Sequence, residues 1–140
     1  RDLIRDAIAA RGELLFHGIA IKPGKPTGLG TIDGKPVFAM PGYPTSCLSN
    51  THILLVPLLR RLAHLAPQAK NTMSLPLAKR IGSVRGRHQF LTVRIENGKA
   101  VPAFKASGDI TSMSRADGYI EIPADVESVE AGTAVEVTLF

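Results

Sequence analysis

The stretch LTVRIENGKAVPAF (91–104) leaves the chain little choice of local structure. Leu91, Val93 and Ile95 alternate with Thr92, Arg94 and Glu96. That period of two suits a strand with one buried face and does not suit a helix. Asn97-Gly98 then supplies two residues that tolerate positive φ, and KAVPAF returns as the partner strand of a tight hairpin. YIEI (119–122) and AVEVTLF (134–140) alternate in the same way, with Ala131-Gly132 turning between them. Short strands at this spacing predict a small all-β barrel or sandwich over residues 72–140.

Upstream, the pattern is different. RDLIRDAIAARG carries apolar residues at Leu3, Ile4, Ala7, Ile8 and Ala10, a helical spacing, and Gly12 stands where a helix C′ glycine belongs. ELLFHGIAIK (13–22) predicts a buried strand running into a loop, and TIDGKPVFAM (31–40) an Asp-Gly turn and a second strand over 37–40. PGYP (41–44) is a sharp turn. TSCLSNTHILLVPLLRRLA (45–63) then predicts one helix beginning near Thr45 or Ser46, with Pro57 kinking it or opening a second one. Helix, strand, strand, helix gives a partial α/β layer through residue 71, with APQAKNT (66–72) as a linker.

Composition narrows the function classes. Hydrophobic content of 44% and charged content of 21% are globular values. ILLVPLL (53–59) is too short for a membrane span, so no membrane is expected. The chain starts at Arg1 and reads as a piece of something longer. Its one cysteine, Cys47, excludes an internal disulfide and suits a reducing cytoplasm. The net charge of +5 hides an asymmetry: all 17 Lys and Arg precede residue 116, while Asp117, Glu121, Asp125, Glu127, Glu130 and Glu136 follow without a base. A basic body invites an anion. Few aromatics are on hand for base stacking, so a small oxyanion or phosphorylated ligand fits at least as well as nucleic acid.

Two loops could hold such an anion. In AIKPGKPTG (20–28) Pro23 and Pro26 fix φ and Gly24 permits a tight turn, so Lys22 and Lys25 are pre-organised. An ordinary solvated turn fits that loop equally. MPGYPTS (40–46) leads from a strand into a helix start, where free N–H groups and a hydroxyl of Thr45 or Ser46 suit an oxyanion, or simply cap the helix. Two such loops in succession belong on one sheet edge. SVRGRHQF (83–90) adds Arg85 and Arg87, and KASGDITSMSRADG (105–118) is rich in hydroxyls; both also read as solvated turns. His17, His52, His64 and His88 are scattered, so no metal site is expected. GYPTS is not a nucleophile elbow, and GLG (28–30) lacks the rest of a dinucleotide fingerprint.

GIAIKPGKPTGLG, VFAMPGYPTS, VRGRHQF and SGDITSMSRADGYIEIP, in this order, resemble the C-terminal part of the MoeA family, the molybdopterin molybdotransferases related to the gephyrin E domain. The resemblance covers essentially the whole chain. It implies the latter part of a MogA-like three-layer α/β domain over 1–71 and the family's C-terminal β domain over 72–140. It also implies a transferase of molybdenum cofactor biosynthesis that inserts molybdate into adenylylated molybdopterin with magnesium, as a cytoplasmic homodimer. Carried over residue by residue, the binding positions are Lys22, Lys25, Pro26, Pro41, Gly42, Pro44, Ser46, Arg87 and Ser112. Tyr43 stands where the family has asparagine. The acidic residues that hold magnesium belong to upstream regions of the family, so the catalytic residues are expected outside this chain. The alternative is a non-catalytic anion-binding or scaffold module of the same fold.

Overall fold

Asp2 starts the first element: its carboxylate accepts the Arg5 amide and caps helix α1 (Leu3–Arg11). The computed structural model describes residues 2–103 and 113–140. After α1 come β1 (Glu13–His17), the two-residue β2 (Ile21–Lys22), β3 (Gly28–Ile32) and β4 (Lys35–Ala39). β1, β3 and β4 form an antiparallel sheet in that order. Asp33 and Gly34, with φ of 49° and 72°, make the predicted turn between β3 and β4. Gly12 does end α1, but its φ of −167° is extended backbone. Glycine is needed there because a Cβ would stand 1.9 Å from the Thr31 carbonyl oxygen.

The strand expected over 13–22 is two strands. Gly18, at φ 92°, breaks it. β1 stays with β3 and is exposed apart from Leu14, whereas β2 leaves the layer altogether. The expected single helix is also subdivided. α2 runs Pro44–Asn50, a π-helical turn covers Thr51–Leu55, and α3 runs Val56–Leu62. Tyr43 occupies the N-cap without a side-chain hydrogen bond and Pro44 takes the first helical position, so neither Thr45 nor Ser46 is the cap. Pro57 lies in the first turn of α3, directly after the π turn. A proline has no N–H to give and its ring crowds the preceding turn. The wider ring closed by the Val56 amide on Thr51 O accommodates that disruption without a break.

From residue 72 the described residues form strands joined by turns and irregular backbone: β5 (Thr72–Pro76), β6 (Ile81–Gly82), β7 (His88–Glu96), β8 (Lys99–Pro102), β9 (Gly118–Ile122), β10 (Ser128–Val129) and β11 (Ala134–Leu139). β7 pairs with β8 through the Asn97-Gly98 hairpin, then with β9, which continues to β11 and β5. A bridge between Leu77 and Ala100, with the Ala78 amide bonded to Ala100 O, closes the sheet into a small barrel. Leu77, Ile81, Leu91, Val93, Ala100, Ile120, Ile122 and Val137 fill it. The period-two reading of β7 holds, since Gln89, Leu91 and Val93 all point inward.

Four of the six acids after residue 116 have specific partners. Glu121 meets Lys70, Glu130 meets Arg80 and Glu127 meets Arg85. Asp117 accepts the Ile95 amide at 2.7 Å. The charge asymmetry of the sequence is thus partly cancelled within the barrel.

Candidate functional site

β2 is where the two halves of the fold meet. It adds to β7 in parallel, with Ile21 opposite His88 and Lys22 opposite Gln89, and the His88 amide donates to Ala20 O at 2.8 Å. The lysine loop therefore hangs from the barrel's sheet. Helix α2 approaches from the other side, and the Ser49 hydroxyl contacts Met113 Sδ at 3.7 Å.

Between them lies a cleft of about 310 Å³. Lys22, Pro23, Thr45 and Ser49 line it from the first half; Lys79, Ile81, Gln89, Thr92 and Met113 are among its residues from the second. Among the described residues, the lining combines apolar walls with two lysines, three hydroxyl-bearing residues and a glutamine, and includes no Asp or Glu. Lys22, Lys25, Lys79 and Arg87 have no acidic partner among the described residues, in contrast to Lys70, Arg80 and Arg85. Arg11, Lys35, Arg61 and Lys99 are equally unpaired among the described residues, so what distinguishes Lys22 and Lys79 is their place in the cleft lining, where charged donors can hydrogen-bond an anion.

The sequence-derived positions divide. Lys22 lines the cleft. Lys25 and Pro26 are exposed beside it, and neither belongs to its lining. Pro41 is buried, and Gly42, Tyr43 and Pro44 are exposed at the entry to α2. Ser46 is buried one residue after Thr45, and it is Thr45 that faces the cleft. Arg87 immediately precedes β7, half-buried, next to the junction with β2. Ser112 lies outside the described residues. Lys79, Gln89 and Ser49 were not singled out as cleft residues by the motifs, because their role depends on how distant segments pack, whereas Thr45 was one of the two hydroxyls read at the helix start.

Asn50 was missed as well. It ends α2 fully buried, and its Nδ2 donates to Gly24 O at 3.3 Å and to Thr27 Oγ1. Nothing in the sequence of α2 sets Asn50 apart from Thr45, Ser46 and Ser49, the other polar residues of that helix. Among the described residues, no three His, Cys, Asp or Glu side chains gather as a metal site, and no helix is long and apolar enough to cross a membrane.

Comparison with known proteins agrees with this build. Residues 74–140 match the MoeA C-terminal region (domain IV), and residues 1–61 match a probable molybdopterin binding domain. A putative molybdopterin biosynthesis protein of Methanocaldococcus jannaschii is 32% identical over 140 residues, covering 100% of this chain and 33% of that protein. Molybdopterin molybdenumtransferase 2 of Mycobacterium tuberculosis is 31% identical over 125 residues, covering 87% of this chain and 31% of that protein. The crystal structure of a molybdopterin biosynthesis MoeA protein from Pyrococcus horikoshii superposes with a TM-score of 0.86 at 50% identity, over 99% of this chain and 34% of that one. A molybdenum cofactor biosynthesis protein from Pyrococcus furiosus gives a TM-score of 0.81 at 32% identity, over 100% of this chain and 55% of that one. The chain spans about a third of the length of the curated relatives it matches.

An α/β layer followed by a small β-barrel, with these two matches, defines a protein of molybdenum cofactor biosynthesis. The chain belongs to the MoeA family and corresponds to its C-terminal region.

Proposed function

We propose that the complete protein is a molybdopterin molybdotransferase, and that this chain supplies the part of its site that holds the oxyanion. The observation that carries the reading is the cleft at the β2–β7 junction, whose lining brings together Lys22, Lys79, Thr45, Ser49 and Thr92. Molybdate is a tetrahedral dianion. Two ammonium groups neutralise it, and hydroxyls donate to its oxygens without a competing carboxylate. The apolar walls suit a flat heterocycle beside the anion. The relatives' names supply molybdopterin as the substrate; in this reading it arrives adenylylated, and molybdate is inserted as the adenylate is hydrolysed.

The wider set of binding positions in this reading is Lys22, Lys25, Pro26, Pro41, Gly42, Pro44, Ser46, Arg87 and Ser112. Residues 1–71 form the α/β unit and 72–140 the β unit. The complete protein is a cytoplasmic homodimer. Magnesium does not fit the described residues. It wants carboxylates with several waters, and the cleft offers none. In this reading the magnesium-holding acids lie upstream in the complete protein, as the family resemblance implies.

The same lack of a carboxylate favours binding without turnover by these 140 residues alone, the behaviour of an anion-holding module. Both readings are tested by one experiment. The complete protein is given adenylylated molybdopterin, molybdate and magnesium, and the isolated chain is assayed beside it. Turnover by the complete protein that falls in Lys22→Ala, with molybdate binding but no turnover in the isolated chain, supports the proposal. Full turnover by Lys22→Ala overturns the role given to the cleft.

A further inference from the structure

The lysine loop is held by more than its prolines. Gly24 O accepts three donors: the Thr27 amide at 3.2 Å, the Thr27 hydroxyl at 2.8 Å and Asn50 Nδ2 at 3.3 Å. Asn50 also donates to that same Thr27 hydroxyl. Asn50 and Thr27 are both 0% exposed. At the neck of the loop, Gly18 N donates to Thr27 O and Ile19 N to Lys25 O, each at 2.9 Å. Gly24, at φ 110°, fits beneath the amide so closely that a Cβ would come 2.2 Å from Asn50 Nδ2. Helix α2 and the loop are therefore fastened at one point.

Two features separate this contact from ordinary packing. Asn50 Oδ1 is buried with no hydrogen-bond partner, so the helix carries an unmet acceptor that a leucine of similar size would avoid. The hydrogen bonds also end on the carbonyl midway between Lys22-Pro23 and Lys25-Pro26. The same helix presents Thr45 and Ser49 to the cleft. Fixing Gly24 to Asn50 thus sets where the Lys22 ammonium stands relative to those hydroxyls, and removes loop freedom that anion binding would otherwise have to freeze.

We propose that Asn50, with Thr27, is a positioning residue that locks the lysine loop onto helix α2 for oxyanion binding; the inference rests on the reading of the cleft given above. Asn50 touches no anion itself. It acts through Gly24 and the lysines on either side.

The test is molybdate binding by titration calorimetry on the complete protein. Wild type is compared with Asn50→Leu, Thr27→Val and Thr27→Ser, each also in a Lys22→Ala background, with thermal unfolding of every variant. Asn50→Leu and Thr27→Val should each weaken molybdate binding by about tenfold. Thr27→Ser, which keeps the hydroxyl, should stay within about twofold of wild type. In the Lys22→Ala background the same losses should shrink to about twofold, because the loop then has less charge to position. Unchanged affinity in folded Asn50→Leu and Thr27→Val, or an undiminished tenfold loss without Lys22, overturns the inference. If Asn50→Leu does not fold, the Thr27→Val and Thr27→Ser pair decides. Absence of molybdate binding by wild type instead overturns the reading of the cleft, and the inference with it.

Discussion

Lys22 and Gln89 stand side by side in the parallel pairing of β2 on β7, and both line the cleft. The lysine is therefore fixed by a sheet, whereas Lys25 lies further round the loop and exposed. Lys22→Ala should cost about 1.5–3 kcal/mol of molybdate affinity in the complete protein, as for a hydrogen bond to a charged group. Lys25→Ala should cost less. Calorimetric titration that ranks the two in the opposite order contradicts this placement of the anion.

The glycines make a second pair of expectations. A Cβ at Gly30 would meet Ile8 Cγ2 at 2.3 Å and Glu13 O at 2.5 Å, whereas one at Gly42 meets nothing within 4 Å. Gly30→Ala should lower stability by several kcal/mol, since α1 or β1 must move. Gly42→Ala should leave the denaturation midpoint nearly unchanged. Any loss of function in Gly42→Ala then reports on ligand contact rather than folding.

Leu77 is 1% exposed and sits where the barrel closes on Ala100. Leu77→Ala should destabilise the protein by about 2–5 kcal/mol through lost transfer energy and the cavity left behind. Urea denaturation of the variant checks this. A cost below that range would mean that the closure point repacks freely.

Glu121 lies between Lys70 Nζ at 2.9 Å and His88 Nε2 at 3.1 Å. Partial burial works to raise its pKa, but the hydrogen bonds from Lys70 and His88, with their charge, together outweigh burial and hold the carboxyl below its usual 4.5. The bond to Glu121 likewise raises Lys70 above 10.5. A carboxyl lowered on folding contributes stability above 4.5, which is lost as pH falls through the depressed value; the raised lysine contributes below 10.5 and loses its share above it. Melting temperature should therefore drop on the acid side below pH 4.5, and Glu121→Gln should flatten that drop. An identical acid limb in the variant would show that the cluster contributes nothing.

The barrel was legible because its information is local. Alternation in β7 and the Asn97-Gly98 turn lie within one short window, and each fixes its own neighbours. The α/β layer was legible as a class but not in its connections. Nothing within ELLFHGIAIK announces that its last two residues pair with His88 and Gln89, since that hydrogen bonding is decided by a segment far along the chain. Asn50 was hidden for the same reason, its partners lying 26 and 23 residues back. The motif brought attention to both lysines, but distinguishing Lys22 in the cleft from Lys25 outside it required the strand pairing. Lys79 belongs to no motif, and only the fold brings it into the same cleft lining as Lys22.

The π turn at Thr51–Leu55 carries one more consequence. A turn that bonds five residues back accommodates one residue more than an α turn. Asn50 lies just before it and Val56–Leu62 just after it. Deleting a single residue from the turn would restore uniform α geometry and leave α3 close to its present phase relative to Asn50, because the extra residue is taken up within that one wide turn. The turn is thus a splice with slack in it: a single-residue deletion there should be tolerated better than one inside Val56–Leu62, which would carry every later residue of α3 onto a different face.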